Sequence, residues 1–198
     1  MSTVLHTEVD NMANKKTNTK GKTLAMAQIA ICAALLCVLS PLSVPTPLNI
    51  AFTLQVFIVI LTALVLKPFY ALAAQLLYTL LGVIGLPVFS GWQSGFGVLA
   101  GPTGGFLVGF ILASFFVSLA KGKTNGKYAV LRYLIAAVAV GIPCIYLPGI
   151  LGFMLYAGVD FSKAFMLVAA TFIPIDLAKC VIAALVAVPI HKALSLTV

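Results

Sequence analysis

Apolar residues along this chain come in long runs, separated by short stretches rich in lysine, glycine or proline. The runs fall at about Leu24–Ser40, Phe52–Leu66, Phe69–Leu86, Gly104–Ala120, Tyr128–Leu151 and Phe165–Ile190. A membrane helix needs roughly 20 mostly apolar residues, so the pattern predicts six membrane helices. Pro41 ends the first, and Lys67-Pro68 makes a tight turn between the second and third. The fifth is expected to be interrupted near Pro143 and Pro148, since proline removes a helical hydrogen bond. Between the third and fourth lies PVFSGWQSGFGVLAGPTGG, too rich in Gly and Pro for a regular span and too apolar for an ordinary loop. It is expected to be a re-entrant or capping segment, because irregular backbone at membrane depth needs protein or a cavity beside it.

Composition agrees. Of the 198 residues 62% are hydrophobic and 8% charged, whereas soluble domains carry about 25% charged residues. The fold class expected is therefore all-α: a polytopic membrane protein with six transmembrane helices in one bundle. Residues 1–22 are polar and are expected to form a disordered cytoplasmic arm whose first eleven residues could be a leader or extension. Residues 23–198 make the single membrane domain. The net charge of +8 does not indicate nucleic acid, because the basic residues sit between the apolar runs and form no aromatic-interleaved patch.

Their distribution sets an orientation. With both termini cytoplasmic, the inner side receives Lys15, Lys16, Lys20, Lys22, Lys67, Lys121, Lys123, Lys127, Arg132 and Lys192, and the outer side only Lys163. This is the asymmetry of the positive-inside rule, and it requires an even number of spans. Cys32, Cys37, Cys144 and Cys180 lie inside apolar runs without metal-ligand spacing, and His6 and His191 lie outside the core. Neither a disulfide nor a metal site is expected, and no cofactor.

Two GKT triplets lack the glycine five positions upstream that a phosphate-binding loop requires. Gly95-Phe-Gly97 follows no strand, so a dinucleotide site is excluded. No nucleophilic triad or carboxylate pair can be assembled inside the bundle, and an enzyme is not expected.

The sixth run nevertheless contains TFIPIDLAK, with Asp176 and Lys179. Each such residue in mid-span costs about 2.5–3.5 kcal/mol on insertion scales, and intramembrane charges mark function by default. Three residues apart, they share a helical face and partly neutralise each other. Cys180, Ala183 and Ala187 follow on that face, small enough for a neighbouring helix to approach. The pair is expected to face the bundle interior in the outer half of the membrane. The alternative is a structural ion pair. Gln75, Tyr78, Thr79 and Gly82 make a polar stripe on the third helix, Gln55 and Thr62 add to it from the second, and Asn49 from the preceding loop. Trp92, Phe89 and Phe96 could cover an apolar body, although Trp92 could equally anchor at the interface. Together these residues suit a small molecule with a carboxylate, polar N–H donors and an apolar frame. Gly101, Gly105, Gly109 and Ala113 recur every four residues for close packing of the fourth helix, and Ala30 and Ala34 make a similar pattern on the first.

FTLQ (Phe52–Gln55), LLYTLLGVIGLPVF (Leu76–Phe89), GPTGGF (Gly101–Phe106) and DLAK (Asp176–Lys179) closely resemble the BioY family, the biotin-specific S components of energy-coupling factor (ECF) transporters. The resemblance covers nearly everything from Leu24 onward. It implies a six-helix bundle that binds biotin from outside, and a partner module made of a transmembrane coupling protein and two ATPases. It also implies that Asp176, Lys179, Gln55, Tyr78 and the Gly101–Phe106 segment lie near the ligand, and that Ala30 and Ala34 meet the coupling protein. Ile175 stands where the family pattern suggests glycine, and Phe106 where tyrosine is common. Biotin's ureido N–H groups would suit Asp176, its carboxylate Lys179 and its fused rings apolar walls. The competing readings are an S component for another vitamin, an autonomous porter for a small carboxylate, and a purely structural subunit.

Overall fold

The computed structural model describes residues 2–44, 52–122 and 128–195, with side chains described from Gly21 to Ala193. Among the described residues six long helices follow one another: α1 (Ser2–Leu39), α2 (Gln55–Val65), α3 (Pro68–Val83), α4 (Gly104–Ala120), α5 (Ala129–Ala157) and α6 (Phe161–Ser195). Between α1 and α2 a two-residue ladder pairs β1 (Ser43–Val44) with β2 (Phe52–Thr53), antiparallel.

The all-helical bundle matches the sequence pattern, and α4 has the bounds expected for it. Other elements differ in ways that have causes. The helical backbone of α1 continues through the polar residues from Ser2, where a disordered arm is expected; no proline or glycine interrupts that stretch before Gly21. Phe52 and Thr53, expected at the start of the second helix, are in β2, so α2 is 11 residues long. At about 1.5 Å per residue it rises roughly 16 Å, about half the hydrocarbon thickness. By length and composition, Gly21–Leu39, Ala129–Ala157 and Phe161–Ala193 can each cross a membrane, while α2, α3 and α4 are shorter apolar helices. The interruption in α5 is a π-helical stretch, Ala136–Gly141, in which the Ile142 N–H reaches the carbonyl of Ala137. It lies immediately before Pro143, whose ring cannot sit in a regular α turn, and the wider turn absorbs the misfit. Pro148, Pro174 and Pro189 are carried inside helices.

Helices α4 and α5 touch backbone to backbone. A Cβ at Gly105 would come within 2.2 Å of the Pro148 carbonyl oxygen, and one at Gly109 within 2.7 Å of that of Ile145. The four-residue glycine spacing thus serves internal packing. The inward face of α6 is made of Cys180, Ala183, Ala184 and Ala187, all fully buried. Large apolar side chains such as Phe69, Leu155 and Met166 point outward, as hydrocarbon contact requires.

Lys121, read from the sequence as an orientation signal, is buried. Its ammonium donates to the carbonyls of Ala63, Leu64 and Leu66, and the Ser118 hydroxyl donates to Leu66 as well. These carbonyls close the C-terminal end of α2 and have no helical partner of their own. A cation suits them both as donor and as counter-charge to the helix dipole.

Candidate ligand-binding site

Asp176 and Lys179 meet on the inward side of α6, with Lys179 Nζ 2.7 Å from Asp176 Oδ1. The expectation that the pair points into the bundle holds: Asp176 is 4% exposed. Each member has a second partner from another element. Lys179 Nζ donates to the backbone carbonyl of Thr53 in β2 at 2.7 Å. The Tyr146 hydroxyl of α5 donates to Asp176 Oδ2 at 2.7 Å. Burying charge is tolerated when the charges are paired and hydrogen-bonded, and here both conditions are met.

The pair lines a cavity of about 50 Å3 whose other walls include Thr53, Gln55, Phe89, Phe106, Tyr146 and Phe172. Aromatic contacts set its shape. Phe52 and Phe172 lie 4.7 Å apart by ring centroid, and Phe106 meets Tyr146 edge-on at 6.0 Å. The Gly/Pro-rich segment between α3 and α4 contributes Phe89, Ser90, Val98 and Thr103 to the lining, so it caps the cavity. It is fixed by the Gly95 N–H bonding to the Gly82 carbonyl at 2.8 Å and the Gly91 N–H bonding to that of Pro41 at 3.2 Å. Positive φ at Gly91 and Gly95 lets the backbone turn so tightly.

Of the residues expected at the site, Asp176, Lys179 and Gln55 line the cavity. Tyr78 stands directly behind: Gln55 Nε2 donates to its hydroxyl at 2.7 Å, and that hydroxyl donates to the Val88 carbonyl at 3.2 Å. Tyr78 therefore orients Gln55 and ties down the capping segment, and no face of it lines the cavity. Gln75 is fully buried elsewhere on α3, its amide without a partner among the described residues. Trp92 and Phe96 are 62% and 71% exposed and do not line this cavity. Trp92, the single non-glycine residue at positive φ among the described residues, borders an open basin with Tyr156, Ser43 and Gln93 above the cap. Left-handed backbone at Gly91 and Trp92 turns the indole away from the bundle. Phe89 is the aromatic from this segment that packs inward, against Tyr78. Asn49 lies outside the described residues. Tyr146, Phe172 and the Thr53 carbonyl are site features that the sequence reading did not identify.

The BioY family profile matches residues 12–196. The chain belongs to the BioY family. Relatives of this BioY chain include the biotin transporter BioY of Thermotoga maritima, 40% identical over 84% of this chain and 95% of the relative. The probable biotin transporter BioY of Bacillus subtilis is 39% identical over 89% and 95%, and biotin transporter BioY2 of Lactococcus lactis 38% over 89% and 94%. A crystal structure of the S component for biotin from an ECF-type ABC transporter has the same fold, with a TM-score of 0.81 over 87% of this chain and 93% of that one at 20% identity. BioY proteins are transporters, not enzymes, and this BioY chain is a multi-pass membrane protein.

Proposed function

We propose that this chain is the biotin-binding membrane subunit of an ECF-type uptake system. It captures biotin from outside, and an ATP-driven module of a transmembrane coupling protein and two ATPases then brings the site inward. The observation that carries this reading is the charge pair in the wall of a capped, aromatic-lined cavity. Biotin offers a carboxylate for Lys179, N–H donors for Asp176 and a fused ring system for Phe89, Phe106 and Phe172. The names of the relatives support the same ligand.

The cavity lies toward the side of the bundle where α1 and α3 finish and α2 and α4 begin, facing the middle of α6. Lys67, Lys121 and Lys192 mark the opposite end, where α2 turns into α3 and α6 finishes. Basic residues favour the cytoplasmic side, which supports a cavity facing outward and both termini inside. Ala30 and Ala34 are exposed on α1, next to an apolar groove formed with Ile31, Leu35, Leu61 and Ile190. Small exposed residues let another helix come close, and this face is the proposed contact for the coupling protein.

At about 50 Å3 the cavity has a third of the volume, about 150 Å3, that accommodates benzene. Binding a bicyclic ligand therefore separates side chains that now touch. Titrating the purified protein in detergent with biotin, riboflavin and thiamine tests the proposal. Saturable binding of biotin alone is expected; preference for another vitamin would reassign the cargo, and no binding of any would leave a structural subunit. Biotin uptake by vesicles containing this chain alone would favour an autonomous porter instead.

A further inference from the structure

Tyr146 is a polar side chain of the cavity with no counterpart among the motifs read from the sequence. In an apolar helix a phenylalanine would pack as well, so the hydroxyl is the informative atom; a buried tyrosine normally finds its oxygen a partner. That partner is Asp176 Oδ2 at 2.7 Å. The carboxylate offers roughly four lone-pair positions. Lys179 occupies one at Oδ1 and Tyr146 one at Oδ2.

The last torsion of an aspartate is broad and nearly two-fold, so one bond leaves a carboxylate free to tilt. Two bonds, one from its own helix and one from α5, fix it. The tyrosine is itself held: it is 4% exposed, and its ring meets Phe106 edge-on, at an interplanar angle of 83°. Its neighbour Ile145 lies at the backbone contact with Gly109. The hydroxyl is thus delivered from one of the closest helix contacts in the bundle.

We infer that Tyr146 is a positioning residue for ligand recognition. It locks the Asp176 carboxylate with its unused acceptor positions toward the cavity, and so sets the preference for a cyclic urea bearing free N–H donors. This rests on the functional reading above and names the residue that makes Asp176 selective.

The test is calorimetric titration of the full chain and of Tyr146→Phe with biotin and with two analogues, each methylated on one ureido nitrogen. The phenylalanine keeps the ring contact, and the unfolding midpoints of the two proteins, measured alongside, are expected to agree within a few degrees. The variant should bind biotin about tenfold more weakly or worse, as for a lost hydrogen bond to a charged group. Its loss should shrink to about twofold or less for at least one methylated analogue, because the N–H that Asp176 would receive is gone. Equal losses for all three ligands would make Tyr146 merely structural, and unchanged biotin affinity would also overturn the inference. Should the variant be too unstable to titrate, the same ligand series on Tyr146→Met, which keeps an apolar side chain with no donor and adds no bulk, replaces it. Failure of the unaltered chain to bind biotin would instead bring down the functional reading, and this inference with it.

Discussion

Lys179 and Thr53 are 126 residues apart in the chain, yet the lysine ammonium lies 2.7 Å from the threonine carbonyl oxygen. This bond joins the charge pair of α6 to the short ladder ahead of α2, on the same wall where Phe52 packs against Phe172. The pair is therefore more than a local neutralisation of one helix. Lys179 is held by the protein's own backbone and, in the function proposed above, is also the partner of the ligand's carboxylate.

Replacing Lys179 with alanine separates those roles. The variant should lose biotin far more than biotin amide, whose tail carries no charge; a charged hydrogen bond in a buried site contributes about 1.5–3 kcal/mol. Competition binding with both ligands measures the difference. Equal losses would show that Lys179 does not meet the carboxylate.

Tyr78→Phe removes the acceptor for Gln55 and the donor to Val88 without altering the ring contact with Phe89. Loss of about 1–3 kcal/mol in stability is expected because two buried groups lose their partner. Biotin affinity should also fall, through a mobile Gln55. Thermal unfolding with and without biotin reads both effects.

Gly105→Ala would drive a methyl group into the carbonyl of Pro148, at 2.2 Å. Overpacking of this kind costs about 1–3 kcal/mol or more, and backbone at that spot cannot move aside as a side chain would. Gly101→Ala, whose new Cβ would sit 3.4 Å from the nearest atom, is the control and should leave the unfolding midpoint nearly unchanged.

Lys121→Met leaves the carbonyls of Ala63 and Leu64 without their donor, while Ser118 still serves Leu66. A cost of about 2 kcal/mol or more is expected. The site at the other end should be untouched, so folded material should bind biotin with unchanged affinity. A large loss of binding would mean that the inner end of α2 communicates with the cavity.

Trp92→Phe should change biotin affinity by about twofold at most, since the indole is 62% exposed and lies outside the cavity. The chain has one tryptophan, so the quenching of its fluorescence by biotin should be weak. Strong quenching would show that the capping segment rearranges around the ligand.

The membrane class, the helix order and the inward-facing pair were legible because each follows from residue type and spacing along one helix. The limits of that reading are equally physical. Nothing in IPCIYLPGI tells Tyr146 from an interfacial tyrosine, since its partner is 30 residues away on another helix. Gln75 and Tyr78 share a stripe on α3, but only Tyr78 is met by a residue of the site. A stripe gives a direction and says nothing about what stands opposite. Trp92 and Phe96 looked equivalent to Phe89 by composition, and backbone dihedrals at Gly91 and Trp92 decide which ring turns inward. The short α2 follows from Phe52 and Thr53 pairing with Ser43 and Val44, a contact that apolar periodicity cannot register.

The glycine contact between α4 and α5 has a mechanical corollary. Where one helix rests its main chain on the other, fewer side chains are free to re-pack and slide, so the two behave as a stiff plate. Phe106 and Tyr146 ride on that plate and make one side of the cavity. Room for an incoming molecule is then expected to come from the facing side, where Phe52 and Phe172 are joined by ring contact and a lysine tether.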